Sequence, residues 1–328
     1  MDGRRSRTRV VAVLALATLA LTLAGCQQAR VGARCRRNTF AQSGDWVLSC
    51  PGGRWARWKP TSEVTAWFLS LPRPAPPPPI SDGVAIQEIQ LSNGVRPLPT
   101  RVYLPPAATP SPWPLIVFAS GYNSTPGTYE TLLRGWAAAG FEVAAPRSPG
   151  LSSDLPGVSE ANLPQQPGDL SATITQMLAD PTIDPNRVAL AGHSDGGSAV
   201  ASVALTPEHA DARVRAFIVV AGAAAGIPGG WGPNNAAPML VIVGDHDEYG
   251  NGRGATRRVY DLANGPKAFV YVIGGTHLGP LIEGTPLAVS TRASTLDFLR
   301  ATLGGGDFTA LRSDASSNGL QLSTVGVP

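Results

Sequence analysis

The chain has 328 residues, 43% of them hydrophobic and 15% charged, which excludes a wholly disordered chain and suits one large domain with additions. The formal net charge of +3 is unevenly placed: residues 1–60 carry 11 Lys and Arg against Asp2 and Asp45, whereas residues 61–328 carry 15 basic and 21 acidic side chains. The folded body therefore has no basic excess for nucleic acid, and no nucleic-acid partner is expected.

Arg4, Arg5, Arg7 and Arg9 precede an apolar run over residues 10–23. That run is too short for a membrane-spanning helix and matches the h-region of a signal peptide. It ends in Leu23-Ala24-Gly25-Cys26, which resembles the lipobox of bacterial lipoproteins. The resemblance implies removal of residues 1–25, a lipid on Cys26, export, and anchoring on the extracytoplasmic side of the cell membrane. Outside the cytoplasm the two remaining cysteines, Cys35 and Cys50, are expected to pair as a disulfide. Arg30, Arg34, Arg36 and Arg37 follow the anchor and suit either anionic headgroups or a solvated tether.

Residues 26–70 form a small Cys/Trp-rich segment with Trp46, Trp55, Trp58 and Trp67, four of the seven tryptophans. Gly52-Gly53 predicts a hairpin turn between strands at 45–49 and 54–59. The rings suit a mini-core in a segment too small for another one. A binding face is the alternative. Residues 71–79 are a polyproline linker, stiff and extended.

The main folded domain is expected over residues 80–302. Alternating residues predict a strand at 84–91 paired with 100–104. Continuous apolar runs follow at 115–119, 141–145, 187–191, 217–221, 239–243 and 268–273. Helical stretches lie between them, one ending at 139, the others at 170–179, 196–205, 253–263 and 288–302. Apolar strands alternating with helices predict an α/β fold, a mostly parallel sheet with helices on both faces. Residues 303–328 read as a Gly- and Ser-rich C-terminal tail.

One strand runs into Gly192-His193-Ser194-Asp195-Gly196-Gly197 and then a helix. A Gly-x-Ser-x-Gly in that context lifts the serine hydroxyl above the sheet as a nucleophile. Ser194 needs a base, and the chain has four histidines. His193 lies inside the turn and should point sideways into supporting structure. His209 lies in a polar stretch, and His246 lies between two aspartates. His277 follows the last strand and is the expected base. Asp245 and Asp247 both stand at a strand end as acids to orient it. Asp247 is preferred for its reach, with Asp245 expected to bond loop backbone. For an oxyanion, the backbone N–H of Asp195 and of Tyr122, in Ser120-Gly121-Tyr122-Asn123, are the expected donors.

On these residues the stretch from about 80 to 302 resembles the α/β-hydrolase superfamily. It is most similar to the branch of dienelactone-hydrolase-like, platelet-activating-factor-acetylhydrolase-like and cutinase-like proteins. The resemblance implies an α/β-hydrolase fold, with Ser194, Asp247 and His277 as the triad and Tyr122 and Asp195 at the oxyanion. It implies a serine hydrolase of carboxylic esters, small-molecule or lipid-like, working through an acyl-enzyme with no cofactor and no metal. An amidase or peptidase of the same fold is the enzymatic alternative. A non-catalytic cell-envelope binding lipoprotein is the other. Two departures stand out. Ala221-Gly222-Ala223-Ala224-Ala225 replaces the tryptophan usual in polyester hydrolases, and Arg147 stands where an acid is usual.

Overall fold

The computed structural model describes residues 30–34, 40–43, 46–49, 53–60, 82–247, 252–281, 286–312 and 320–325. The chain divides into two compact units, Met1–Ile80 and Ser81–Pro328.

In the first unit, β1 (Phe40–Ser43), β2 (Trp46–Ser49) and β3 (Ala56–Pro60) form an antiparallel sheet in the order β1-β2-β3. β2 and β3 pair antiparallel, as the strands expected at 45–49 and 54–59 would, while Gly52 of the expected turn lies outside the described residues; β1 adds a strand that the sequence did not announce. Leu48 is buried, and the Arg57 guanidinium lies 4.9 Å from the centroid of the half-buried Trp46 ring. The signal-peptide, lipid and disulfide expectations, with Cys26, Cys35 and Cys50, lie outside the described residues, as do the linker and Trp67.

Among the described residues the second unit is built on a sheet of nine strands. These are β4 (Ala85–Asn93), β5 (Arg96–Leu104), β6 (Trp113–Ala119), β7 (Glu142–Pro146), β8 (Ile183–His193), β9 (Val214–Val220), β10 (Met239–Gly244), β11 (Lys267–Val272) and β12 (Leu320–Val325). Their order across the sheet is β12-β11-β10-β9-β8-β6-β7-β5-β4. The run from β7 through β6, β8, β9 and β10 to β11 is parallel. The edges formed by β4, β5 and β12 are antiparallel.

Among the described residues five α-helices lie between the strands: α1 (Glu130–Ala138), α2 (Gln166–Met177), α3 (Asp195–Leu205), α4 (Arg257–Leu262) and α5 (Pro286–Leu303). Leu115, Val117 and Ala119 of β6 face a core shared with α2, α3 and α4. Ile116 and Phe118 face a second core shared with α1 and α5. Burial on both faces is why these strands read as unbroken apolar runs rather than alternating ones.

Two stretches differ from the sequence reading. The helix expected at 253–263 is shorter: a π-turn at Gly252–Thr256 leads into α4 at Arg257. Gly252 and Gly254 weaken regular helix there. The sheet also continues beyond residue 302, because Leu320–Val325 pairs antiparallel with β11 along its whole length. The Gly- and Ser-rich surroundings masked that short alternating strand. Among the described residues no helix is long and apolar enough to cross a membrane.

Candidate active site

β8 ends at His193 and α3 begins at Asp195, so the whole reversal falls on Ser194. Its φ of 55° and ψ of −124° lie where side chains rarely allow the backbone to go. Such strain costs on the order of 1–3 kcal/mol and needs surrounding bonds to hold it. The Ser194 N–H donates to Val220 O at 2.9 Å, and the Ser198 hydroxyl donates to Ser194 O at 3.2 Å. A Cβ on Gly192 would collide with the Gly196 carbonyl, and one on Gly196 with the Ala119 carbonyl. The two glycines of the motif are therefore steric requirements of the turn.

The base candidates separate by geometry. His277 lies past the end of β11, 5% exposed, with Nε2 2.9 Å from Ser194 Oγ and Nδ1 2.8 Å from Asp247 Oδ2. A carboxylate can only accept, so Nδ1–H donates to Asp247 and Nε2 is left to accept from the serine hydroxyl. The side chains of His277 and Asp247 are 6% and 3% exposed, which shields the pair from competing water. Asp245 turns to the backbone instead and accepts from Gly274 N–H at 2.6 Å. The His246 N–H donates to Gly275 O at 2.9 Å, tying the Asp247 loop to the His277 loop. The His246 side chain is 70% exposed, and His209 bonds Ser202 and Thr206 at the end of α3.

His193 points sideways into the fold, 2% exposed. Burial, then the neighbouring His277, pushes it down to about 3. It meets the hydroxyl of Tyr129, a residue that no local pattern marked. Ser198 was missed too, although its place four residues after Ser194 on α3 is a usable signal.

The loop after β6 supplies the facing wall. A Cβ on Gly121 would sit 3.1 Å from Ser194 Cβ and 3.2 Å from His193 Nδ1, tight enough that a larger residue would push this loop or its neighbours apart. The N–H groups of Tyr122 and Asp195 have no acceptor among the described residues. Asp195 sits beside the serine at the start of α3, and burial, then Glu160, pushes its carboxyl up to about 6. Burial, then Glu160 and Asp195, raises the Tyr122 hydroxyl.

Arg147 bonds none of the site residues, and the alanine segment meets the serine turn through Ser198. Arg147 bonds Glu88, Asp154 at 3.2 Å and Pro99 O at 3.3 Å, so it braces β4, β5 and the loop after β7. Ala223 and Ala224 are buried, and Ala223 N–H donates to Ser198 Oγ at 2.9 Å. A cavity of about 250 Å³ lined by Leu132, Pro280, Leu281 and Arg292 lies between α1 and α5, beyond the His277 loop. Among the described residues no group of three or more His, Cys, Asp or Glu could hold a metal ion.

A serine, an imidazole and a carboxylate joined in this order can transfer a proton away from an attacking hydroxyl. Residues 83–228, which contain the Ser194 turn, match the chlorophyllase family. The chain is also 37% identical over 110 residues to the thiohydrolase apmlB of Arthrinium phaeospermum, covering 33% of this chain and 34% of that protein. The chain thus aligns with about a third of the length of that curated relative. With its strand order, its helices on both faces and a serine turn after the central strand, the fold is an α/β-hydrolase fold.

Proposed function

We propose that the protein is a serine hydrolase of carboxylic esters or thioesters, small-molecule or lipid-like. The observation that carries the reading is the pair of hydrogen bonds from Ser194 to His277 and from His277 to Asp247, at 2.9 and 2.8 Å. Ser194 Oγ attacks the acyl carbon while His277 Nε2 takes its proton. Asp247 holds the imidazole and stabilises its cation. The N–H groups of Tyr122 and Asp195 receive the oxyanion. Collapse expels the alcohol or thiol, which takes the proton from His277. Water then repeats the sequence on the acyl-serine, releasing the acid and restoring the hydroxyl. The chlorophyllase match favours an ester, and the relative named a thiohydrolase adds thioesters to the range.

The test is a panel of aryl esters, thioesters and anilides with matched acyl chains. Ester or thioester turnover is expected to dominate and to fall about 10⁴-fold or more in Ser194→Ala. Faster turnover of anilides would move the reading to an amidase. A folded protein that neither turns over esters nor reacts with a fluorophosphonate would be a binding protein instead.

We further propose that this activity is exported and tethered through a lipid on Cys26. The support is the residue 10–23 apolar run ending in Leu23-Ala24-Gly25-Cys26. Metabolic labelling with a palmitate analogue should mark the full chain in a bacterial host and be lost in Cys26→Ser.

A further inference from the structure

Beside the triad runs a second chain of hydrogen bonds that the proposed reaction does not use. Gly121 N–H donates to Tyr129 Oη at 3.1 Å. Tyr129 Oη lies 3.0 Å from His193 Nδ1, and His193 Nε2 lies 3.1 Å from His277 O. Tyr129 and His193 are 1% and 2% exposed, so no solvent competes along the chain.

The direction of every bond is fixed by chemistry. A carbonyl oxygen can only accept, so His193 Nε2 carries the hydrogen and donates to His277 O. A neutral ring then has Nδ1 as acceptor, so the Tyr129 hydroxyl must donate to it. The tyrosine oxygen keeps its lone pairs for the Gly121 N–H and the Ser124 side chain. A backbone donor begins the chain and a backbone acceptor ends it, and every hydrogen in between has one place to go.

The ends of this chain matter. Gly121 precedes Tyr122, whose N–H is the proposed oxyanion donor, and His277 is the proposed base. His193 itself immediately precedes Ser194. The loop after β6, the nucleophile turn and the loop after β11 are separate in sequence, by 64 residues from Tyr129 to His193 and 84 from His193 to His277. One buried chain spans all three. The rings of His193 and His277 also lie in contact, centroids 4.7 Å apart.

We propose that Tyr129 and His193 are positioning residues for the hydrolase reaction: through Gly121 and the His277 carbonyl they set the distances of the oxyanion loop and the base from Ser194. The inference rests on the serine-hydrolase reading. A protonated His193 would carry hydrogen on both nitrogens and break the Tyr129 bond, so the arrangement works only with a neutral ring. The titratable groups against that ring are Tyr129 and His277. Burial holds the Tyr129 hydroxyl well above its ordinary range, so it stays a donor.

Two measurements on the full chain decide the matter. Imidazole proton–nitrogen correlations of the wild type do not depend on turnover. They should show His193 as the Nε2–H form, unchanged between about pH 5 and 8, where an ordinary histidine changes charge. A titrating His193, or one with hydrogen on Nδ1, overturns the proposal whatever the enzyme's substrate. The second measurement compares His193→Gln, His193→Asn and Tyr129→Phe with an aryl ester. The glutamine amide nitrogen reaches as far as Nε2 and can keep the bond to His277 O. Asparagine reaches only as far as Nδ1 and loses it.

The expected result is a fall in kcat of about 10–100-fold for His193→Asn, with KM within about 2-fold, and a smaller fall of about 3–10-fold shared by His193→Gln and Tyr129→Phe, which both keep the bond to His277 O and lose the one between Tyr129 and residue 193. Equal kcat in the Gln and Asn variants, or unchanged kcat with a lower Tm, would reduce both residues to packing. Tyr129→Phe removes a single oxygen and keeps the test available should either His193 variant fail to fold. A wild type inert to esters and fluorophosphonate would sink the hydrolase reading, and the imidazole spectra would still decide the hydrogen-bond chain.

Discussion

At the carboxyl end of the sheet, Asn123, Ser194 and Ala221 hold φ of 54°, 55° and 52° just past β6, β8 and β9. At the amino end the chain turns by short-range chemistry. Asp180 accepts from Thr182 N–H and hydroxyl at 2.9 and 2.7 Å, and Asp184 accepts from Asn186 N–H and Arg187 at 2.9 and 2.7 Å. Those carboxyls are pulled below their ordinary range, Asp180 by Thr182, Asp184 by Asn186 N–H and then Arg187. Asp195, at the other end, is pushed up to about 6 by burial and Glu160. One end of the sheet satisfies its charges locally. The other stores strain and desolvation, held in place by bonds from distant segments, as sites built for chemistry do.

The largest expected effect breaks one of those distant bonds. Asp247→Asn removes the carboxylate that accepts from His277 Nδ1 at 2.8 Å. An amide can satisfy the imidazole in the wrong tautomer, so kcat for an aryl ester should fall about 10⁴-fold with the fold intact. Asp245→Asn, which touches Gly274 N–H instead, should cost less than about 10-fold. Equal losses in the two variants would erase the distinction between them. Circular dichroism on both proteins separates lost chemistry from lost structure.

This contrast also explains what the sequence made legible. Strand positions followed from apolar runs, because burial on both faces leaves no polar alternation to confuse them. Ser194 was marked by five consecutive residues. His277 emerged because only four histidines compete. The Asp180 and Asp184 turns span two or three residues and are local in the same sense. Tyr129 was invisible, since its partner His193 is 64 residues away and neither sits in a pattern that implies the other. Arg147, which stands where an acid is usual, is drawn onto Glu88 by the folding of β4 against β5. Strand β12 was missed because its short alternation lies in Gly- and Ser-rich surroundings and is completed by pairing with β11.

A smaller effect tests how the carboxyl end is fastened to the rest. Asp169, in the first turn of α2, is 0% exposed and accepts from Asn93 Nδ2 and Arg96 Nε at 3.0 Å and from Arg96 Nη2 at 2.8 Å. These bonds tie α2 to the β4–β5 hairpin. Asp169→Ala leaves the Arg96 charge without its partner, and urea unfolding should show a loss of about 3–5 kcal/mol. The residue touches none of the triad, so kcat per folded molecule should stay within about 2-fold. A selective loss of kcat without loss of stability would make the clamp part of the chemistry.

Glu142 is the amino end's own exception. It opens β7, is 2% exposed, and its Oε2 has no hydrogen-bond partner among the described residues. Burial, then the nearby Asp180, raises its carboxyl from an ordinary 4.5 to about 7. Above that value the folded protein holds a buried charge that the unfolded chain would leave in water. As pH falls from 7 towards 4.5 the folded state takes up a proton that the unfolded chain does not yet bind, and the penalty disappears. Glu142→Gln removes the charge at similar shape. It should stabilise the protein by on the order of 3 kcal/mol at about pH 8, with the gain fading as the acid range is reached. Urea midpoints of both proteins across that range supply the check. A gain that stays constant with pH would mean that packing, not an ionised carboxylate, sets the difference, and the amino end would then have no stored charge at all.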